Sequence, residues 1–281
     1  MNRHQRMTVA HETLSILDRG QYMLDDNRTI ELSEHIAACL GSTRYIDAEE
    51  TNALPSQAEA RRRRDVPATV EVVNQTTLAC ISRVLNETNG SVAALNFASA
   101  RNPGGGFLGG SLAQEESLAT SSALYTSLLR APQFYETHRA SSSLLYSNSM
   151  IVSPGCPVFR RDDGSLMHEP ELVTFITCAA PNAGAVEKNQ PGDLALVPDV
   201  LRARSERVLA VAALQDCATL VLGAWGCGVF RNDPAVVAGT FRSHLYGDAA
   251  WATHFERIVF AVLDTSVQQD VYGAFLKAFA R

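Results

Sequence analysis

The chain has 281 residues, 46% of them apolar and 19% charged, which is ample for one large buried core. A formal charge of −6 excludes broad electrostatic binding to nucleic acid, because that mode needs clustered Lys and Arg to displace phosphate counterions. Nothing approaches the roughly 20 apolar residues of a membrane span, so neither nucleic acid nor membrane is expected as a partner. The first twenty residues carry Arg3, Arg6, His11, Glu12 and Asp18, leaving no apolar run for a signal peptide. Cys39, Cys80, Cys156, Cys178, Cys217 and Cys227 form no C-x-x-C pair, and a reducing cytoplasm is the expected location. No His or Cys cluster has metal-ligand spacing; no metal and no cofactor are expected, and His168-Glu169 reads as a polar loop pair.

In chain order, residues 6–19 (RMTVAHETLSILDR) predict a helix with Val9, Leu14, Ile16 and Leu17 as its apolar stripe and Gly20 as its stop. A polar stretch with Asn52, Pro55 and the run Arg61 to Arg64 closes a first section, residues 1–65. Four successive arginines read as a solvated face, the alternative being a steering patch for an anionic ligand. From residue 66 short β-rich runs alternate with longer helical ones, which predicts an α/β sheet covered on both faces. The predicted strands are Thr69–Val73, Ser91–Phe97, Leu172–Cys178, Thr219–Ala224 and Arg257–Leu263. Helices are predicted near 76–88, 112–130, 194–214, 234–246 and 267–280. Asp163-Gly164 marks a tight turn in VFRRDDGSLM, a hairpin over 158–167.

The stretch NPGGGFLGGSLAQEE, residues 102–116, follows a predicted strand and leads into a helix. Glycines there let backbone amides turn toward a ligand and remove the Cβ that would block close approach; the alternative is that they only permit a sharp turn. Ser111 and Gln114 have the spacing of a capping box, which makes Leu112 the first helical residue. Gly104, Gly106 and Gly109 also satisfy G-x-G-x-x-G, but a dinucleotide fold needs an acid about 20 residues later. That position falls at Leu128 to Arg130, without an acid.

A second glycine-rich loop, GAWGCGVFRNDP over 223–234, again follows an apolar strand and precedes a helix, with Asp233-Pro234 as N-cap and first-turn proline. Two such loops at strand ends would face one crevice, where open α/β sheets bind ligands. Trp225 is expected in the core, and Phe230 is the candidate for contacting a ligand ring.

Glu115 and Glu116 are neighbours on a helix and point roughly 100° apart, so one can face a scissile bond while the other grips hydroxyls. Two successive helical residues cannot easily straddle a sugar at the roughly 5 to 9.5 Å separation of the usual glycosidase pair. One carboxyl must then act as acid and later as base, held neutral by burial and by the like charge beside it. The plain alternative is a pair of solvated helix acids.

The pattern Gly104-Gly105-Gly106, seven residues, then Gln114-Glu115-Glu116 resembles the signature of the poly(ADP-ribose) glycohydrolases in their bacterial form, and GAWGCGVFRNDP resembles that family's diphosphate-binding loop. The resemblance implies a macrodomain-like mixed sheet between helices (66–281) with an N-terminal, mostly helical extension (1–65). It implies hydrolysis of ribose-ribose O-glycosidic bonds, with Glu116 as acid/base, Glu115 holding ribose hydroxyls and Gln114 bracing the pair. Gly104, Gly105 and Gly106 would approach the ligand from one side and Gly226, Cys227, Gly228 and Val229 from the other; Phe230 would pack against it and Asn102 contact the terminal ribose. Poly(ADP-ribose), ADP-ribose and ADP-ribosylated proteins are the implied partners. A non-catalytic ADP-ribose reader and a nicotinamide-dependent oxidoreductase are the alternatives.

Overall fold

The computed structural model describes residues 1–61, 64–88, 90–247 and 251–280. Its strands are β1 (Gln21–Met23), β2 (Thr29–Glu31), β3 (Arg44–Ile46), β4 (Thr69–Val73), β5 (Val92–Phe97), β6 (Met150–Arg160), β7 (Leu166–Cys178), β8 (Thr219–Gly223) and β9 (Arg257–Ala261). Its α-helices are α1 (Arg3–Arg19), α2 (Ser33–Ser42), α3 (Leu54–Glu59), α4 (Thr77–Glu87), α5 (Gln114–Ser121), α6 (Leu124–Leu128), α7 (Pro132–Ala140), α8 (Ala183–Asn189), α9 (Val197–Leu214), α10 (Pro234–Tyr246) and α11 (Asp270–Phe279). All five strands expected from the sequence form, four of them within two residues of their expected ends, while β7 begins at Leu166, six residues before the expected Leu172.

One mixed sheet runs in the order β3-β6-β7-β5-β8-β9-β4. From β7 to β4 all neighbours are parallel, whereas β6 and β3 join antiparallel at one edge. Parallel strands covered on both faces are apolar almost throughout, and β5 shows why. Ala93 and Leu95 enter a core with α9, α10 and α11, while Val92 and Ala94 enter one with α2, α4, α5 and α6. The carboxyl ends of β5, β7, β8 and β9 therefore share one rim of the sheet, and both glycine loops leave from it.

Only the end of strand β6, in the hairpin over 158–167, is expected from the sequence, because MIVSPGCPVFR carries two prolines and a glycine, which normally exclude a strand interior. Pro154 and Gly155 are accommodated at an irregularity, where the register with β7 shifts between Ser153 and Cys156 and Gly155 has φ 57°, a bulge geometry; Pro157 pairs opposite Leu172. The helix expected over 112–130 is instead broken into α5 and α6. Ser122 between them bridges to Val158, and Ala123 N–H donates to the Pro157 carbonyl at 3.0 Å, so the chain pairs with β6 where it would have stayed helical.

Helix α1 begins at Arg3 rather than residue 6, because Asn2 Oδ1 accepts from Gln5 N–H at 3.0 Å and Gln5 Oε1 accepts from Asn2 N–H at 2.8 Å. Gly20, at φ 69°, ends it as expected. Residues 1–61 lie against the rest of the chain: Arg3 and Arg6 donate from Nε to the Gly109 and Gly110 carbonyls at 2.9 Å, and β3 extends the sheet edge. Arg61 and Arg64 form exposed ion pairs with Asp216 and Glu256, both at 2.7 Å, which fits a solvated face; Arg62 and Arg63 lie outside the described residues. His168-Glu169 lies on β7 rather than in a loop, and Arg28 Nη2 is 2.7 Å from His168 Nδ1. The hairpin turn closes as predicted, with Gly164 at φ 94°. Among the described residues no helix is long and apolar enough to cross a membrane.

Candidate active site

The capping box expected at Ser111 and Gln114 does not form: α5 starts at Gln114, and its N-cap Ala113 has no side-chain cap. Gln114 is drawn elsewhere by the end of β5. Its Oε1 accepts from Phe97 N–H at 2.9 Å, and its Nε2 donates to the Leu95 carbonyl at 2.8 Å and to Thr77 Oγ1 at 3.2 Å. A side chain that satisfies strand backbone on both its oxygen and its nitrogen fixes the helix start against the sheet, and with it the two glutamates that follow.

Glu115 points inward and is 3% exposed. Its Oε2 accepts from Ser99 N–H at 2.7 Å and its Oε1 from Asn96 Nδ2 at 3.2 Å. Burial raises its pKa to about 8, against the pull of the Ser99, Asn96 and Gly104 donors and with a further push from the Glu116 charge. Glu116 sits at the rim, partly exposed, and its Oε1 accepts from Gly106 N–H at 3.0 Å. Of the two acids, Glu115 is the one whose pKa burial raises, because α5 turns the first acid under the loop and the second along it.

Gly105 is explained by these acids. Gly104 and Gly105 have φ of 68° and 61°, and a Cβ on Gly105 would stand 2.3 Å from Glu116 Oε1 and 3.3 Å from Glu115 Oε2. A Cβ on Gly106 would meet Ser111 Oγ at 2.5 Å. Gly105 N–H is used within the turn, donating to the Asn102 carbonyl at 3.0 Å. Asn102 itself is exposed, with its N–H on Ser99 Oγ at 3.1 Å.

The second loop uses its glycines differently. Gly226, at φ 73°, packs where a Cβ would strike Asn232 Nδ2 at 2.3 Å, and Asn232 Nδ2 ties the loop down through the Pro181 and Gly226 carbonyls at 2.9 and 3.2 Å. Gly228 has nothing within 4 Å of a Cβ position. Among the described residues the N–H groups of Gly226, Gly228, Val229 and Phe230 donate no hydrogen bond, whereas Cys227 N–H donates to the Ala224 carbonyl at 3.1 Å. Unpaired adjacent amides form an anion-binding concavity. Trp225 is in the core as expected, its Nε1 donating to the Cys178 carbonyl at 3.1 Å; Val229 is 83% exposed; and Phe230 is half-buried with its ring 6.0 Å from that of Tyr146. Asp233 Oδ1 caps α10 through Ala235 N–H at 2.7 Å, with Pro234 opening the helix.

The structure thus gathers Gln114, Glu115, Glu116, Asn102 and Gly104 to Gly106 around the end of β5, and Gly226 to Phe230 at the end of the adjacent β8. Asn96 and Ser99, which hold Glu115, were missed by sequence reasoning. The one signal for Asn96 is a polar residue inside the apolar run VAALNF, and nothing marks Ser99. Among the described residues no group of three or more His, Cys, Asp or Glu could hold a metal ion.

A mixed sheet between helix layers, with a paired-carboxylate loop beside an amide-lined loop at one rim, defines a macrodomain-like α/β protein. The family model for the catalytic domain of microbial-type PARG, poly(ADP-ribose) glycohydrolase, matches residues 10–161. The chain is similar to the crystal structure of poly(ADP-ribose) glycohydrolase from Thermomonospora curvata, with 43% identity over 98% of this chain and 100% of that one and a TM-score of 0.93. With the Thermomonospora curvata structure bound to the inhibitor ADP-HPD it shares 43% identity over the same 98% and 100%, TM-score 0.91. With poly(ADP-ribose) glycohydrolase from Deinococcus radiodurans in complex with ADP-ribose it shares 49% identity over 87% of this chain and 97% of that one, TM-score 0.82. No curated protein sequence gives a significant match. The chain belongs to the microbial-type poly(ADP-ribose) glycohydrolase family, which decides against the nicotinamide-dependent reading.

Proposed function

We propose that the chain hydrolyses the ribose-ribose O-glycosidic bonds of poly(ADP-ribose) and releases ADP-ribose, with Glu116 as general acid and then general base. The observation that carries this reading is the stacked carboxyl pair: Glu116 at the rim against Gly105 and Gly106, with Glu115 buried beneath it. The unpaired amides of Gly226, Gly228 and Val229 take the diphosphate, and Gly105 and Gly106 allow its approach from the opposite side. Phe230 packs on the ligand, Asn102 meets the terminal ribose, and Gln114 braces α5. Glu116 gives a proton to the departing ribose oxygen as the glycosidic bond breaks, then removes a proton from the water that captures the oxocarbenium-like sugar carbon. Glu115, protonated at neutral pH, grips the hydroxyls of that sugar. The matched family model is of a catalytic domain, which favours this enzyme over a module that only reads ADP-ribose.

The natural substrate is polymer carried on ADP-ribosylated proteins, in the cytoplasm; six unpaired thiols fit that compartment. Residues 1–65 are an accessory extension packed on a catalytic body of residues 66–281. The test is release of ADP-ribose from polymer by the wild type and by Glu116→Gln. The amide oxygen can still accept from Gly106 N–H, so ADP-ribose affinity stays nearly unchanged while the rate falls at least roughly 100-fold, the scale of a lost general acid. Equal rates in the two proteins defeat the assignment.

A further inference from the structure

Tyr146 lies in the segment between α7 and β6, at the same sheet rim as the site, with φ 60°. A bulky residue in the left-handed region is an outlier that persists only when its surroundings over-determine it. Here they do. Arg204 on α9, 1% exposed, donates from Nη2 to the Leu145 and Tyr146 carbonyls at 3.0 and 3.2 Å, from Nη1 to the Ala179 carbonyl at 2.8 Å, and from Nε to Asn148 Oδ1 at 3.0 Å. On the other side of Tyr146, Leu144 N–H donates to Gln190 Oε1 at 2.9 Å and the Leu144 carbonyl accepts from Asn182 N–H at 3.0 Å. A buried guanidinium is costly unless its donors are met, and this one spends all of its hydrogen bonds on one strained turn and the strand end beside it.

The strained turn presents the Tyr146 ring to two others, His138 at 5.6 Å and edge-on, and Phe230 at 6.0 Å and tilted by 45°. Phe230 is half-buried, with one side packed on the core beneath α9 and α10 and its carbonyl accepting from Gly184 N–H at 3.0 Å. We propose that Tyr146 is a positioning residue that holds the Phe230 ring upright as the aromatic wall for a ribose face, and that Arg204 exists to keep the strained turn in place for it. The inference rests on the proposed function, since Phe230 is taken there to pack on the bound ADP-ribose. Ring against ring is the operative contact, so the tyrosine hydroxyl is dispensable.

The test uses the full chain with Tyr146→Phe, Tyr146→Ala and Tyr146→Gly, read by ADP-ribose calorimetry, polymer hydrolysis and thermal melts. Expected are wild-type affinity for Tyr146→Phe and an affinity loss of about tenfold for the other two, equivalent to about 1.4 kcal/mol, appearing in KM more than in kcat. Tyr146→Gly should melt a few degrees above Tyr146→Ala, because glycine alone accepts this φ without strain; a merely structural residue would not separate binding from stability in this way. Wild-type ADP-ribose affinity in both Tyr146→Ala and Tyr146→Gly overturns the inference, as does a Tyr146→Phe protein as weak as Tyr146→Ala. If the wild type binds ADP-ribose and leaves polymer intact, the proposed hydrolysis fails while the affinity series still decides the role of Tyr146.

Discussion

The two glycine loops leave neighbouring strands, β5 and β8, and Gly105 in the first and Gly228 in the second serve opposite purposes. In the first loop glycine makes room for the protein itself: the space that a Cβ on Gly105 would fill is taken by the carboxyls of Glu116 and Glu115. In the second loop Gly228 faces open space, and among the described residues the amides of Gly226, Gly228, Val229 and Phe230 donate no hydrogen bond. One loop thus brings acids close to backbone, and the other brings backbone close to whatever binds. A glycine cluster at a strand end marks close approach in both cases, and only the neighbours say what approaches.

The sharpest way to break this contrast is Gly105→Ala. A methyl group at φ 61° in van der Waals conflict with Glu116 must displace the carboxyl, so hydrolysis of polymer should fall by roughly 100-fold or more, as when a general acid is lost. Activity within threefold of the wild type would show that the acids do not depend on that space.

Next in size is Glu115→Gln, which addresses the buried half of the pair. Burial pushes the Glu115 pKa up to about 8 in the fold, against the ordinary 4.5, so the folded chain binds this proton more tightly than the unfolded one. Its contribution to stability is complete below the unfolded pKa and is lost as pH rises through the folded pKa. Thermal melts should therefore show the wild type losing stability between about pH 4.5 and 8, while Glu115→Gln lacks that decline and is more stable than wild type at pH 9 by about 5 kcal/mol. Parallel curves for the two proteins would mean that Glu115 titrates as an ordinary surface acid.

The smallest effect belongs to Gly228→Ala. With nothing within 4 Å of the added carbon, stability should move by less than about 0.5 kcal/mol, and ADP-ribose affinity, measured by calorimetry, should weaken by only a few-fold as the methyl group narrows the approach to the amides. A melting temperature depressed as far as that of Gly105→Ala would erase the distinction between the loops.

Much of the site is legible in the sequence because its parts are contiguous. Gly104 to Glu116 and Gly223 to Pro234 each carry their pattern within a dozen or so residues, and strand and helix periodicities place both at strand ends. What misleads is competition for the same side chain. Ser111 and Gln114 have capping-box spacing, yet Gln114 serves the backbone of Leu95 and Phe97. Prolines exclude most of β6 from any local reading, yet Pro154 sits at a bulge in a long strand. Asn96 and Ser99 escape notice because they matter only through a carboxyl nearly twenty residues on, and Tyr146 because the arginine that restrains it lies on α9.

By itself the sequence determined that an apolar, alternating chain builds a covered α/β sheet, and that two glycine loops and a pair of acids lie at its rim, since periodicity and turn chemistry act between near neighbours. Only the tertiary structure decided which acid is buried and holds its proton, which glycines face protein and which face open space, and where a strained tyrosine is held. Those outcomes follow from burial and hydrogen bonding between segments far apart in the chain, and desolvation has no local signature.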